Sequence, residues 1–168
     1  MATGIKLVEP AENEFLAQLE SKANRPIHFF RTMAHKPEVL KNFVPLYGAI
    51  TGPGSVDRRI KELVYLTCSY TNACPYCTAA HEASSRKANV TDEDRRALAA
   101  ADDQGFSAPE RAAIEYAREL TKTANARATR DQLAAHFSEE QIVEIKLVAA
   151  MANFTNRFNN ALGVTPEA

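Results

Sequence analysis

Cys74 and Cys77 are separated by Pro75 and Tyr76, and His81 follows in the same stretch. Two thiols so close can pass between dithiol and disulfide, and a nearby imidazole can carry the proton that such chemistry moves. Proline is favoured at the first position of a helix, so Pro75 makes Cys74 the cap and puts Cys77 at the end of the first turn. With about 100° between successive helical residues, Cys74, Cys77 and His81 fall within an arc of roughly 60° and share one face. That spacing leaves the imidazole close enough to Cys77 to exchange a proton with it. A thiol at a helix N-terminus also sees unpaired amides and the positive end of the dipole, which favour thiolate. This favours Cys74 as the nucleophile, whereas proximity to His81 favours Cys77, and on these residues alone both assignments stay open. Glu62, on the preceding helix, is a carboxylate able to hold the imidazole in one tautomer and stabilise its charge. A peroxide would oxidise one thiol to a sulfenic acid, which the second condenses to a disulfide before over-oxidation.

Zinc is the rival use of these residues. Cys74, Cys77 and His81 could be three ligands with Glu62 or Cys68 as a fourth, but structural zinc sites draw on four soft ligands, and no second Cys-x-x-Cys or His pair is present. Cys68 lies on an apolar stretch with Leu63, Val64 and Leu66 and reads as a small core residue. His28, His35 and His136 have no partner at a recognisable spacing and read as structural or surface residues. Tyr76 could hydrogen-bond a sulfur or a substrate, or could simply pack. Asn153, Asn156 and Arg157 read as a polar network at a helix or subunit contact.

The elements that must hold this constellation are helical. Ser107 with Glu110, Thr129 with Gln132, and Ser138 with Gln141 have capping-box spacing, and Thr91 with Asp94 is a variant of it. These predict helices near 92–103, 108–123, 130–136 and 139–160. Pro37 separates a helix near 26–35 from one near 37–50, and the loop Thr51-Gly52-Pro53-Gly54-Ser55 precedes a helix capped by Asp57 that runs to about Tyr70. With the helix opened by Pro75, this gives an all-α, single-domain bundle of about seven or eight helices over residues 1–168. No window alternates as a half-buried strand would. No internal repeat or linker interrupts the chain. The segment from Ile142 to Phe158 is apolar nearly all round, which predicts a central helix, wrapped by its own chain or buried against a second subunit.

At 168 residues the chain can bury roughly two thirds of its unfolded surface without disulfide or metal staples. A formal net charge of -1 supplies no footprint for nucleic acid. No apolar run reaches the roughly 20 residues of a membrane span. Met1 to Asn13 is polar and acidic where a secretory signal would be cationic and then apolar. Three cysteines, two of them too close to staple distant segments, do not make an extracellular disulfide framework. A cytoplasmic protein, with neither nucleic acid nor membrane as partner, is expected.

Glu62, then Cys74 and Cys77 at the fixed long spacing, then His81, resembles the motif of the alkylhydroperoxidase D-like branch of the carboxymuconolactone decarboxylase superfamily. Phe30-Arg31-Thr32-Met33-Ala34-His35-Lys36-Pro37-Glu38 and Asn153-Phe154-Thr155-Asn156-Arg157-Phe158 extend the resemblance over most of the chain. The resemblance implies an all-α fold, a homotrimer or homohexamer, and a thiol peroxidase that reduces organic hydroperoxides or hydrogen peroxide without a cofactor. It implies that Cys77 attacks the peroxide, that His81 and Glu62 relay its proton, and that Cys74 resolves the sulfenic acid. It further implies a lipoyl-type or other dithiol electron donor. Tyr76 stands where some family peroxidases carry a second His, which leaves the implied relay one member short. Two other functions are compatible with parts of the pattern. One is a dithiol oxidoreductase acting on another protein; the other is a lactone decarboxylase of the same superfamily, whose members do not depend on the dithiol.

Overall fold

The computed structural model describes residues 5–167. Among them there are nine α-helices and no strand: α1 (Glu14–Ala23), α2 (His28–Met33), α3 (Pro37–Thr51), α4 (Arg58–Thr71), α5 (Pro75–Lys87), α6 (Asp92–Ala100), α7 (Ala108–Thr123), α8 (Arg127–Ala134) and α9 (Glu139–Leu162), with a 3-10 turn at Pro10–Glu12. The expected all-α class holds. The helix beyond the expected eight is α1, opened by Asn13, whose side chain accepts from Leu16 N at 3.0 Å.

Most starts follow the capping signals. Thr91 with Asp94, Ser107 with Glu110 and Ser138 with Gln141 form capping boxes, and Asp57 caps α4 by accepting from Arg59 N at 2.8 Å. The box expected at Thr129 and Gln132 does not form. The Thr129 hydroxyl instead donates to Glu119 Oε2 of α7 at 2.6 Å, and α8 begins earlier, at Arg127. The tertiary hydrogen bond outcompetes the local one. Likewise α6 stops at Ala100 rather than near 103, because Ala101 turns into the left-handed region at φ 56°.

Helix α4 is the axis of the molecule. Every residue from Lys61 to Ser69 is buried, and the helix packs on α5, α6, α7 and α9. Its Leu63 and Leu66 belong to one apolar cluster with Val90, Leu98, Phe106 and Ile114, while Val64, Tyr65 and Cys68 belong to the larger cluster shared with α9. A side chain projecting from α4 is therefore held in a close-packed wall, where small displacements are costly.

Helix α9 packs against α3, α4, α5, α7 and α8, as its apolar sequence predicts. Its outer face stays uncovered: Val143, Leu147 and Phe154 are about half exposed, as are Val39 and Leu46 of α3. None of the described helices is long and apolar enough to cross a membrane.

Candidate active site

The turn from α4 to α5 spends two residues outside the helical region. Ala73 adopts φ 48° and Cys74 is extended at φ -97°, ψ 97°, so the chain reverses while Cys74 N still donates to Ser69 O at 2.9 Å. Cys74 is thereby the cap of α5, and its sulfur accepts from Cys77 N at 3.4 Å. The two sulfurs lie 2.7 Å apart as free thiols, each all but excluded from solvent.

When one of the two ionises, the other can donate to it across this contact, and their surroundings decide which sulfur carries the charge. The Cys74 hydrogen bond, aided by the Asn159 and Asn156 amides and by the charge of His81, brings the Cys77 thiol down to about 6 against the opposing effect of burial. Asn159 Nδ2 donates directly to Cys77 Sγ at 3.3 Å. Cys74 is pushed well above the ordinary thiol range, first by donating to Cys77, then by burial and by the charge it faces. Cys77 is thus the thiolate of the pair.

The structure brings Glu62 and His81 together across α4 and α5, with Glu62 Oε2 2.9 Å from His81 Nδ1. A carboxylate only accepts, so Nδ1 carries a proton; in the neutral ring Nε2 is then the acceptor. That nitrogen faces the Tyr47 hydroxyl of α3 at 3.1 Å. Tyr65 stacks on the imidazole with centroids 3.7 Å apart and fixes its plane. Both ring nitrogens are engaged, in a line Glu62, His81, Tyr47. Burial pushes Tyr47 up to about 12, which keeps its phenol a proton donor at neutral pH. The expectation of one shared face also needs correction: Cys74, as an extended cap, departs from the helical 100° step, and only Cys77 and His81 share the inner face.

Cys77, His81, Tyr47, Tyr65 and Asn159 line one cavity of about 290 Å³, walled by Phe29, Phe30 and Tyr76. That is near the lower end for ligand pockets and suits a small, largely apolar molecule with a reactive polar end. Asn159 Oδ1 is buried, and no donor of the described protein reaches it.

The remaining residues separate cleanly. Tyr76 points away from both sulfurs and donates to Glu167 Oε1 at 2.9 Å, while its oxygen accepts from Phe29 N at 3.3 Å. It supplies cavity wall and no relay member. Cys68 is fully buried between α7 and α9, and burial pushes its thiol up to about 11. His28 and His35 bond backbone carbonyls of Thr165 and Lys6, and His136 is exposed. Asn153 and Asn156 form a helix contact, both accepting from Asn72 Nδ2 at 3.0 and 2.9 Å, and Arg157 ties Asn153 to Thr121 of α7. No group of three or more His, Cys, Asp or Glu side chains among the described residues is arranged to hold a metal ion.

Tyr47 and Asn159 are the site residues that sequence reasoning missed. Tyr47 carries no motif signal. Asn159 had a partial one, since Asn153 and Asn156 already marked a polar run on an otherwise apolar helix, and one more step leads to Asn159.

Fold and site together define a class: helical proteins with a dithiol at a helix start beneath an aromatic cavity. A sequence model of the carboxymuconolactone decarboxylase family matches residues 37–119, the stretch holding Tyr47, Glu62, Cys74, Cys77 and His81. That match spans just under half of the chain, and the fold is alkylhydroperoxidase D-like. An uncharacterized peroxidase-related protein from Ralstonia eutropha JMP134, with an alkylhydroperoxidase AhpD core, superposes with a TM-score of 0.86 over 99% of this chain and 93% of that one, at 22% identity. The debrominase Bmp8, solved with 2,3,4-tribromopyrrole, superposes with a TM-score of 0.82 over 100% and 94% of the two chains, at 21% identity. At these identities the likeness is one of fold. The uncharacterized protein YdfG of Bacillus subtilis (strain 168) is 29% identical over 117 residues, 67% of this chain and 80% of YdfG.

Proposed function

We propose that this chain is a thiol peroxidase that reduces small organic hydroperoxides or hydrogen peroxide through a Cys74 and Cys77 dithiol-disulfide cycle. The observation that carries the reading is the low-lying Cys77 thiol on the wall of an aromatic cavity, with a second sulfur 2.7 Å behind it and a proton line beside it. The Cys77 thiolate attacks the terminal oxygen of the peroxide; the O–O bond breaks and an alkoxide departs. Tyr47 gives its proton to the alkoxide and regains one from His81, which holds the proton lost by Cys77, while Glu62 stabilises the imidazolium. Cys74 then attacks the sulfenic sulfur, its proton leaves with the hydroxide as water, and the disulfide forms. Asn159 donates to the thiolate through Nδ2 and offers Oδ1 to the peroxide O–H, which sets the terminal oxygen beside Sγ.

A dithiol donor, such as a lipoyl group, closes the cycle in this reading, which requires no cofactor and suits the reducing cytoplasm. We also propose a homo-oligomer, trimer or hexamer, that covers exposed apolar side chains of α3 and α9. Near-complete burial of both sulfurs weighs against disulfide exchange with a folded protein. The dithiol poised on a proton line weighs against lactone decarboxylation.

Trapping with a dimedone-type reagent tests the cysteine roles. A Cys74→Ser variant treated with hydroperoxide should be labelled on Cys77; labelling of Cys74 in a Cys77→Ser variant, with none in the first, would reverse them.

A further inference from the structure

Helix α5 presents two opposite faces, each carrying its own opening. Cys77, Ala80, His81 and Ser84 line the aromatic cavity. Pro75, Thr78, Ala79 and Glu82, displaced by about 200° on the helix, line a second cleft of about 500 Å³. That cleft is closed by Tyr70 and Arg95, and Cys74 lies in its lining. No residue belongs to both openings: Cys77 lines only the first, Cys74 only the second.

Building on the redox-pair reading and its dithiol donor, we propose that this donor attacks Cys74 through the second cleft, opposite the peroxide cavity, and that the cleft admits only a slim alkyl thiol. Thiol-disulfide exchange places the attacking sulfur behind the sulfur attacked, on the side remote from the one that leaves. With Cys74 as the target and Cys77 as the leaving sulfur, the only approach that satisfies this line comes from the Cys74 side. The reverse attack, through the aromatic cavity onto Cys77, would have to expel Cys74, the sulfur less able to hold a negative charge; the thiolate that its surroundings favour leaves faster.

The cleft also selects by shape. Cys74 is 1% exposed although it lines the cleft, and Arg95 beside it is held by Val90 O and Asp92. A cysteine on a folded protein surface cannot descend to that sulfur, whereas an unbranched alkyl thiol can. In the exchange, one donor thiolate forms a bond to Cys74 Sγ as the Cys74–Cys77 bond breaks, and its electron pair goes to Cys77. The second donor thiol attacks the first donor sulfur, the donor leaves as a cyclic disulfide, and Cys74 recovers a proton. The dithiol's other proton leaves to solvent, and His81 on the opposite face regains one from the water of its own cavity.

The test separates the two half-reactions. Ala79→Trp, at an exposed helical position in the cleft and away from the peroxide cavity, should slow reduction of the disulfide by dihydrolipoamide at least tenfold while leaving oxidation by cumene hydroperoxide within twofold of the parent rate; Ala79→Met should lie between. The disulfide is prepared with diamide, so the reduction arm stands even if hydroperoxide fails to oxidise the protein, an outcome that sinks the peroxidase reading alone. Unchanged reduction, or an equal loss in both half-reactions, overturns separate openings. In the unsubstituted protein, reduced thioredoxin should act at least tenfold more slowly than dihydrolipoamide at equal concentration; equal rates overturn the slim donor.

Discussion

The Tyr47 hydroxyl lies 3.1 Å from His81 Nε2, reaching the imidazole from α3, a helix that neither contains nor adjoins the cysteine motif. Tyr76, between the two cysteines, turns instead to Glu167. In the proposed relay the missing member comes from elsewhere in the chain.

Tyr47→Phe keeps the ring and removes the proton. Oxidation of the reduced protein by an alkyl hydroperoxide should slow by about 100-fold, the usual scale for a lost general acid. A peroxycarboxylic acid should lose far less, because a carboxylate departs without needing a proton. Equal losses with both oxidants would remove Tyr47 from the relay.

Asn159→Leu deletes the amide that donates to Cys77 at 3.3 Å. The pH midpoint for alkylation of Cys77 by iodoacetamide should rise by about one unit, corresponding to ~1.4 kcal/mol. Cys74→Ala, which removes the largest cause of the lowered value, should raise it further. A midpoint unmoved in both variants contradicts the hydrogen-bond account of the thiolate.

The same shift makes the reduced protein's stability depend on pH. Cys77 ionises at about 6 when folded against an ordinary 9.0, so between these values the unfolded chain binds the extra proton and stability rises with pH. This contribution is whole above about 9 and is lost as pH falls through about 6. Melting of reduced parent and Cys77→Ala proteins should diverge in favour of the parent as pH increases across this window. A constant Tm difference would contradict it.

Val143, Leu147 and Phe154 leave an apolar face of α9 about half exposed, and Val39 and Leu46 of α3 are exposed as well. If a second copy covers it, sedimentation should give an oligomer for the parent, and Leu147→Glu should weaken assembly at least tenfold while preserving the helical spectrum. A monomeric parent at micromolar concentration would rule the assembly out.

What the sequence made legible was local. Pro75 fixes where α5 begins, the capping boxes at Thr91, Ser107 and Ser138 fix three more helices, and the spacing of Glu62, Cys77 and His81 fixes who can meet across α4 and α5. What stayed hidden depends on packing between distant segments. Tyr47 joins His81 only because α3 lies over the cavity, and Thr129 abandons its capping role because Glu119 of a neighbouring helix offers a better acceptor. Helical extrapolation failed at Cys74 for a different reason: a cap residue is extended, and its side chain leaves the face that the periodicity assigns to it.

The central claim is that Cys77 is a poised thiolate that a hydroperoxide oxidises and Cys74 then locks. Stopped-flow mixing of the reduced protein with one equivalent of cumene hydroperoxide tests it most directly. The account predicts oxidation at least about 100-fold faster than a free thiol, with one Cys74–Cys77 disulfide and one cumyl alcohol per chain. Oxidation at the free-thiol rate, or disulfide formed without alcohol, would contradict it.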